Sequence, residues 1–563
     1  MKYFRTVGLL FLIVLIGGVL IGFTGVGVAQ EDTSSTNEEV GYWNGVYHDD
    51  VLEVSNDEGI APAELEDVVN RSMARVEVIR GQAFQENVPV RIYTREEFRT
   101  SDETVYAGEP SQGEEWFRNQ FWGSLFMIGD TENAYEQQQQ VSLESVNGYY
   151  DPGSGEVVLI AEEVRAGEYK IDEELLIHEL SHAMQDQYVG LWEDGLSVRS
   201  HDERLSKLMV VEGEALYMEQ RFAERCDIEW DCLDDYSAGG GFVEAQNQGV
   251  IFTNYYPYAT GQQLIEHQNQ LTTFDKIEHL YTNPPEQTRQ HLSGGDSMIN
   301  ESIHLYVSDT AQDNWYTVED EGWGGREVIG QATVFTMLWY QAAENRADVS
   351  LGANEIDADY GYNEEFNYRH ELTQSLVADG IIYYHTGMYE DSGFAWKQIW
   401  EDEESAVRFT DEYEAVLEAN GAEEVEDITD VVSPAEQRTL QEEADSAQAY
   451  YSDDDDFGGY YLVIQKENAI LILQSDYQAH LSQLRDFGNE PLFEEDYSVE
   501  SILEEFEEEE ESNNTDRRTD EDEGTQLITR NRIIGFLLLG FVFLYGVFTF
   551  NSSQSGRKTI RDK

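Results

Sequence analysis

The stretch His178-Glu179-Leu180-Ser181-His182 constrains the fold of this chain more than any other segment. It lies in a run of helix-forming residues, 173–185, that contains neither Gly nor Pro. Residues four apart share one face of a helix, so a helix here lets both imidazoles bind one metal ion. Leu176, Leu180 and Ala183 recur at helical spacing, which predicts that this helix is half buried.

The two histidines predict a Zn²⁺ site. In a catalytic site, zinc binds three protein ligands and keeps one position for water. His178 and His182 supply two of them, and Glu179, next to the first, is predicted to act as general base. With 11 His and 114 acidic residues among 563, the motif has about 0.04 accidental matches, so chance explains it poorly.

The third zinc ligand has several candidates downstream, namely His201, Asp202, Glu203, Glu212 and Glu214. Glu212 and Glu214 both lie in an apolar helical stretch, where a buried carboxylate is costly unless a group such as a metal compensates it. The two point about 200° apart on a helix, so only one of them can face the ion. Periodicity does not decide between them, and all five candidates stay open on these grounds.

The composition is strongly acidic, with 114 Asp and Glu against 34 Lys and Arg and a net charge of −80. This excludes a nucleic-acid-binding protein, because no basic surface is available to neutralise phosphates. Aromatic residues make up 12% of the chain, which favours a folded core over disorder. The composition resembles that of proteins from halophilic archaea, where high salt screens repulsion between like charges.

Apolar segments at both ends predict a cell-surface location. Residues 1–29 read as a signal peptide or an uncleaved anchor, because Lys2 and Arg5 precede a long apolar run. Residues 530–552 are predicted to form a transmembrane helix followed by a basic cytoplasmic tail. The positive tail predicts that the body lies outside the cell.

An extracellular body has two further consequences. Cys226 and Cys232 are the two cysteines, and an oxidising compartment predicts a disulfide between them. Asn70, Asn300 and Asn513 begin Asn-x-Ser/Thr sequons and are candidate glycosylation sites.

Two motifs resemble those of the gluzincin metallopeptidases, especially their aminopeptidase-like group. Val211-Glu212-Gly213-Glu214-Ala215 is similar to that group's Glu-Gly-x-Ala element. The resemblance implies Glu212 as the third zinc ligand and Glu214 as a residue that supports the ligands. The usual ligand spacing of that group would instead fall on His201, and that of thermolysin on Asp202, so these rivals and Glu203 stay open.

The second motif, Tyr256-Pro257-Tyr258-Ala259-Thr260-Gly261, resembles the Tyr-x-Lys-Gly element of the same group. It implies that Tyr258 donates a hydrogen bond to the oxyanion of the reaction. Thr260 stands where Lys is usual. The alternative is that Tyr255, Tyr256 and Tyr258 form a packed aromatic cluster.

The motif that binds the substrate amino terminus in the aminopeptidases is missing. The corresponding segment, Asn147-Gly148-Tyr149-Tyr150, lacks its Glu, so aminopeptidase activity is not implied. The order of motifs, ending with Asn283-Pro284-Pro285 and Thr288, is similar to that of uncharacterised, membrane-anchored zincin-like surface proteins of haloarchaea and actinobacteria. That group implies no activity by itself.

The chain is predicted to be α+β, with a mixed sheet and a mostly helical subdomain around the zinc motif and a smaller α+β domain after it. The predicted parts are, in chain order, the signal peptide or anchor (1–29), a flexible acidic segment (30–56), a zincin-like metallopeptidase domain (57–300), a linker (301–319), an α+β accessory domain (320–490), an acidic stalk (491–529), a transmembrane helix (530–552) and a basic cytoplasmic tail (553–563).

These patterns predict a membrane-anchored, extracellular zinc metallopeptidase that acts on a peptide or protein substrate. The alternative is a catalytically inactive cell-surface protein that keeps the zincin fold for a binding or structural role. Zinc content and hydrolysis of an unfolded protein distinguish the two.

Overall fold

The computed structural model describes most of the chain between residues 40 and 493. The described residues are 40–101, 110–191, 198–226, 228–234, 236, 247–271, 277–293, 302–312, 314–318, 321–322, 324–356, 366–485, 487 and 491–493. The predicted signal peptide, transmembrane helix, cytoplasmic tail and most of the stalk lie outside them, as do Asn300 and Asn513. Within these ranges, no helix has the length and apolar composition needed to cross a bilayer.

The fold is mixed α+β. The helices of the described residues are α1 (Pro62–Arg80), α2 (Arg95–Thr100), α3 (Gln112–Ser124), α4 (Ala134–Ser145), α5 (Glu173–Val189), α6 (His201–Ala223), α7 (Gln248–Leu271), α8 (Ile277–Thr282), α9 (Arg289–Leu292), α10 (Gly330–Ala343), α11 (Glu371–Gln374), α12 (Glu403–Ala419), α13 (Pro434–Glu443) and α14 (Gln478–Leu484). A short 3₁₀ helix spans Ile428–Asp430.

The strands of the described residues are β1 (Tyr42–Trp43), β2 (Val46–Tyr47), β3 (Val90–Tyr93), β4 (Gly148–Asp151), β5 (Glu156–Ile160), β6 (Glu163–Arg165), β7 (Glu168–Tyr169), β8 (Arg326–Glu327), β9 (Leu376–His385), β10 (Ser392–Trp400), β11 (Ala422–Glu424), β12 (Ser446–Ser452), β13 (Gly459–Lys466) and β14 (Ala469–Ser475). They form two sheets of more than two strands.

The smaller of these sheets has three strands in the order β3-β5-β4 and packs against α5. β3 runs parallel to β5, and β4 runs antiparallel to it, with Tyr149 opposite Val158. Residues 148–160 therefore form a strand, a turn and a strand. β4 lies at the edge of the sheet, next to the helix that carries the two histidines.

Helix α5 begins and ends at residues suited to those places. The Asp172 side chain accepts a hydrogen bond from the backbone N–H of Leu175, which satisfies one free donor of the first turn. Gly190 ends the helix with φ of 64°, a left-handed conformation that favours glycine. Leu180 and Ala183 are buried in a cluster that also contains residues of α1 and β5.

Helices α6 and α7 touch backbone to backbone at two glycines. A Cβ on Gly213 would lie 2.3 Å from the carbonyl oxygen of Gly261, and one on Gly261 would lie 2.2 Å from that of Met209. Only glycine fits at such a close approach. The crossing follows Glu212 directly on α6 and lies one turn beyond Tyr258 on α7.

The larger sheet has seven strands in the order β11-β12-β13-β14-β10-β9-β8. All of its neighbouring strands are antiparallel. The apolar-rich segments 394–400, 459–465 and 469–474 lie in β10, β13 and β14.

The largest hydrophobic cluster joins the two sides of the predicted linker. It contains Met209 of α6 and Tyr256 of α7 together with Phe335 of α10, Trp396 of β10 and Phe409 of α12. The helices around the histidine motif and the seven-stranded sheet therefore share one core.

Some residues of the predicted linker and stalk pack against the seven-stranded sheet in a second hydrophobic cluster. Ile303, Leu305 and Val307 alternate with more exposed residues and are buried against the seven-stranded sheet. Leu492 and Phe493 are buried in the same cluster. These apolar side chains of the predicted linker (301–319) and of the start of the predicted stalk (491–529) therefore cover a face of the sheet.

Residues 40–56 of the predicted flexible segment (30–56) include two strands that pack against α1. Strands β1 and β2 pair, and both Trp43 and Val46 are buried. The Trp43 ring lies 6.0 Å from that of Phe84, and the backbone N–H of Gly41 donates to Glu77. A few large apolar side chains are sufficient to fix this polar segment.

Candidate metal centre

His178 and His182 lie one turn apart on α5 and face Glu212 on α6. Their Nε2 atoms are 3.4 Å and 3.3 Å from Glu212 Oε2, respectively. All three side chains are buried, and one potential ligand atom from each lies within 4.8 Å of the other two. Among the described residues, these three make up the one such group of His, Cys, Asp or Glu side chains.

The donor set and its spacing fit a zinc ion. Zinc bonds to histidine nitrogen and carboxylate oxygen measure about 2.0–2.2 Å, so ligand atoms at two corners of a tetrahedron lie about 3.3–3.6 Å apart. The separations of 3.4 Å and 3.3 Å from Glu212 to the two histidines fall in this range. Three protein ligands leave a fourth corner for water.

The rival ligands lie at the other end of α6. His201 is eleven residues from Glu212, which is about 16 Å along a helix. Each rival contacts a different neighbour: His201 packs on Phe121 with ring centroids 4.6 Å apart, Asp202 accepts a 2.6 Å hydrogen bond from the Thr288 hydroxyl, and Glu203 pairs with Lys207 at 2.7 Å.

Glu179 lies beside the ligands and against β4. Both oxygens of its carboxylate are buried and have no hydrogen-bond partner among the described residues. Gly148 leaves room for that carboxylate, since a Cβ there would lie 3.2 Å from Glu179 Oε1. Burial raises the pKa of Glu179 well above its usual range; the charge of His178 opposes this shift and that of Glu212 adds to it. A carboxylate with a raised pKa is suited to accept a proton.

The side chain of Tyr258, on α7, also lies at the candidate metal centre, near Glu212 and Glu179. Burial raises the pKa of its hydroxyl well above the usual range, and the charge of Glu212 and a hydrogen bond with that carboxylate add to the shift. The Tyr258 ring also stacks on that of Tyr255, with centroids 5.8 Å apart and planes 18° apart. The residue is thus both a member of an aromatic cluster and a hydroxyl at the candidate site.

In the protein without a metal, the imidazoles and carboxylates of this site pair with one another. Burial opposes the charged form of His178, but hydrogen bonds with Glu212 and Glu219 raise its pKa to about 10. Burial acts against ionisation of Glu212 as well, but the charge of His182 and hydrogen bonds with both imidazoles lower its pKa to about 2. The site therefore favours a carboxylate that faces positive charge.

Each imidazole has a partner behind it that the sequence motifs did not predict. His178 Nδ1 lies 3.1 Å from Glu219 Oε2, and His182 Nδ1 lies 2.8 Å from Gln185 Oε1. The signal for both is local. Gln185 is three residues after His182 on α5, and Glu219 is seven residues after Glu212 on α6, so each shares a helix face with a ligand.

Glu214 lies behind the centre and contacts Gln185. Its Oε2 accepts hydrogen bonds from the Tyr281 hydroxyl at 2.6 Å and from Gln185 Nε2 at 3.2 Å. Its Oε1 lies 2.7 Å from Arg80 Nε in a buried ion pair. Glu214 therefore supports the ligands through an intermediate amide.

A disulfide joins Cys226 to Cys232 just after α6. The end of this loop is tied to the start of α5, because the backbone N–H of Leu233, the residue after Cys232, donates to Glu173 at 2.8 Å. Glu173 also forms a buried ion pair of 2.7 Å with Arg75 of α1. The crosslinked loop therefore contacts the first turn of the helix that carries both histidines.

The candidate glycosylation site at Asn70 is buried in α1, with a 5% exposed side chain. Its Oδ1 accepts a hydrogen bond from Asn44 Nδ2 at 3.3 Å. The folded chain therefore buries this asparagine in the helix.

Comparison with known proteins gives one match. Residues 317–485 match the model of a family described as Domain of unknown function (DUF8575). This range contains the seven-stranded sheet, and His178, His182 and Glu212 of the candidate metal centre lie outside it. No curated protein and no solved structure matches the chain.

Proposed function

We propose that this chain is a zinc-dependent peptidase with a zincin-like, gluzincin-type catalytic domain. One observation carries the proposal: His178, His182 and Glu212 are buried at the mutual spacing of zinc ligands, with Glu179 beside them. Neutral imidazoles and a carboxylate are ligands that catalytic zinc commonly uses. The order of the motifs in the sequence also supports this assignment.

Two residues that do not bind the ion have separate roles in the proposed reaction: one transfers a proton and the other stabilises the oxyanion. A bound zinc ion would supply a Lewis acid that lowers the pKa of water to about 7. Glu179 is placed to take the proton of the attacking water on its carboxylate and to pass it to the leaving amine. The Tyr258 hydroxyl is placed to donate a hydrogen bond to the carbonyl oxygen as it becomes an oxyanion.

The edge strand β4 offers a place for the substrate backbone. It pairs with β5 on one side and lies next to Glu179 on α5. An extended peptide can add to a sheet edge through main-chain hydrogen bonds, which holds it without regard to its sequence. A peptide or unfolded protein is therefore the proposed substrate.

We place this peptidase at the outer cell surface of a halophile. The disulfide suits an oxidising compartment. A net charge of −80 suits a medium of high salt, in which self-repulsion is screened. Membrane attachment through residues 530–552 completes the proposal.

The test measures zinc and hydrolysis in the full-length chain, purified in high salt with detergent. We expect about one zinc per chain and cleavage of an unfolded protein. Glu179→Gln should keep zinc and lose nearly all hydrolysis, because it removes only the base. Glu174→Gln, the same change on the first turn of α5, should keep both.

Absence of zinc from the wild type would sink the proposal. Zinc without cleavage over a broad panel of peptides would favour the alternative of an inactive surface protein with a binding role. Unchanged turnover in Glu179→Gln would remove that residue from the mechanism.

A further inference from the structure

The Nδ1 atoms of the two histidines, on the side of each ring away from Glu212, contact chemically different groups. His178 Nδ1 faces the carboxylate of Glu219, whereas His182 Nδ1 faces the amide oxygen of Gln185. A carboxylate in such a pair accepts a hydrogen bond, so its partner nitrogen donates. An amide can present either end, so the orientation of Gln185 decides which nitrogen of His182 carries the proton.

The neighbours of Gln185 fix that orientation. Its Nε2 lies 3.0 Å from the carbonyl oxygen of Val211 and 3.2 Å from Glu214 Oε2. A carbonyl oxygen only accepts, so the amide NH₂ must face this side. Oε1 is left for His182, whose Nδ1 must then donate. The unprotonated Nε2 of His182 consequently faces Glu212, where a metal would bind.

Glu214 holds the amide in turn. The Tyr281 hydroxyl and Arg80 contact its two oxygens at 2.6 Å and 2.7 Å. Gln185, Glu214 and Tyr281 are all buried, so each polar group depends on the next for its hydrogen bonds. Rotation of the Gln185 amide would turn its oxygen toward the Val211 carbonyl and the Glu214 carboxylate and leave buried acceptors facing acceptors, which is costly.

We propose that Gln185 is a positioning residue of the metal centre. It holds His182 in the form protonated at Nδ1 and directs Nε2 toward the ion, and Glu214 keeps the Gln185 amide in the orientation that does so. This rests on the proposed function, because it requires a metal at His178, His182 and Glu212. Loss of a partner behind a ligand histidine commonly weakens metal binding by about 10–100-fold.

The experiment measures zinc affinity of the full-length chain by competition with a chelator, and the absorption spectrum of the Co²⁺ form. Gln185→Leu should weaken zinc binding by about 10–100-fold and alter the Co²⁺ spectrum, which reports ligand geometry. Gln187→Leu is the matched control. Gln187 lies on the same helix and its amide bonds the backbone of Gln85 and Glu86, away from the ligands.

A double exchange, Gln185→Glu with Glu214→Gln, tests rescue. The carboxylate at 185 accepts from His182 Nδ1, and the amide at 214 donates to it while its oxygen accepts from Arg80. Total charge is unchanged, and a cavity of about 270 Å³ beside both residues gives the side chains room. Because the carboxylate at 185 cannot donate to the Val211 carbonyl oxygen, this variant should bind zinc less tightly than the wild type but more tightly than Gln185→Leu.

The outcomes separate this inference from the proposed function. A wild type without zinc overturns the proposed function and the role of Gln185 with it. A zinc-binding wild type with equal affinity and an equal Co²⁺ spectrum in folded Gln185→Leu overturns only the role of Gln185. So does a folded double variant that binds zinc no more tightly than Gln185→Leu. If neither variant folds, nitrogen NMR of labelled histidine in the zinc-loaded wild type decides, because ligation through Nδ1 of His182 overturns the inference.

Discussion

At the scale of single residues, three carboxylates surround two imidazoles in a place that excludes most water. Glu179 and Glu212 are buried, and Glu219 is 15% exposed. Like charges this close disfavour the ionised forms, which is one reason why the pKa of Glu179 is raised. A divalent cation would offset this repulsion and hold the imidazoles in their neutral, ligating forms.

Tyr258 provides a test of how the site stabilises negative charge. Tyr258→Phe keeps the ring stacked on Tyr255 and removes only the hydroxyl. We expect kcat to fall by about 10²–10³-fold, the usual cost of losing one oxyanion donor. Zinc content should not change, because Tyr258 is not one of the three proposed ligands.

Tyr255→Phe is the control for Tyr258→Phe, since it alters the stacked partner and leaves the Tyr258 hydroxyl in place. Steady-state kinetics on one peptide and elemental analysis of both variants give the result. An equal loss of activity in both would assign the aromatic pair a packing role.

Single residues were predictable where the chemistry is local in sequence. His178, Glu179 and His182 lie within one helical turn and a half, so their spacing alone brought them together. Gln185 and Glu219 share helix faces with ligands, but nothing in a single sequence distinguishes their amide or carboxylate from the many on solvated faces. Their roles depend on what the opposite helix presents.

At the scale of elements, the crossing of α6 and α7 explains the glycines of two motifs. Gly213 follows Glu212, and Gly261 lies three residues after Tyr258, and each fills the space where a Cβ would strike the other helix. The motifs thus encode both the functional side chains and the contact that sets their distance. The resemblance of the motifs implied the functional side chains. Only the packing of the two helices shows the contact between the glycines.

Gly261→Ala tests this crossing. The added methyl would lie 2.2 Å from the Met209 carbonyl oxygen, so the helices must separate. We expect the free energy of unfolding to fall by about 1–3 kcal/mol or more, the usual cost of overpacking. Zinc affinity should also fall, because α7 and α6 carry residues on opposite sides of the site.

Gly123→Ala is the control for Gly261→Ala. Gly123 lies in α3, where the nearest atom to an added Cβ is 3.5 Å away, an ordinary contact. Alanine favours a helix more than glycine by about 1 kcal/mol, so this variant should be neutral or stabilised. Denaturant unfolding of both variants measures the difference. Equal stability of Gly261→Ala and the wild type would contradict the close crossing.

Amphipathic elements were the most predictable ones. Apolar residues recur at helical spacing over 62–80, and α1 has those bounds. Strand β9 was missed, because Asp379 and Gly380 interrupt its apolar run. The structure satisfies Asp379 with the backbone N–H groups of Ile329 and Gly330, and Gly380 lies under the carbonyl oxygen of Leu305. Both residues of the strand are therefore accommodated by segments that are distant in the sequence.

At the scale of the whole molecule, the range matched by the family model helps to hold the start of the ligand helix α6. Glu327 accepts a 2.6 Å hydrogen bond from the backbone N–H of His201, and the carbonyl oxygen of Val328 accepts one from Asp202 at 3.2 Å. These contacts satisfy free donors of the first turn. The sequence suggested an accessory domain after a linker, but periodicity cannot show which separated segments share a core.

Buried carboxyls concentrate at this junction. Burial raises the pKa of Asp202 and of Glu327 to about 8, and that of Asp379 to about 6. In the unfolded chain such groups titrate near pH 4, so the folded state binds more protons between these values. Stability from these groups is therefore fully present below about pH 4 and is lost as the pH rises through their folded pKa values.

Asp202→Asn tests this dependence, because asparagine resembles the protonated carboxyl and does not titrate. At constant high salt, the free energy of unfolding of the wild type should fall as the pH rises from about 4 to about 8. The variant should show a shallower fall, since each unit of pKa difference between the two states contributes about 1.4 kcal/mol. The difference between the two curves isolates Asp202 from the many exposed acidic groups, which titrate in both proteins.

Denaturant unfolding at a series of pH values supplies these curves. Parallel curves would show that Asp202 binds no extra proton in the folded chain, and that the hydrogen bonds from Thr288 hold it ionised at the start of α6.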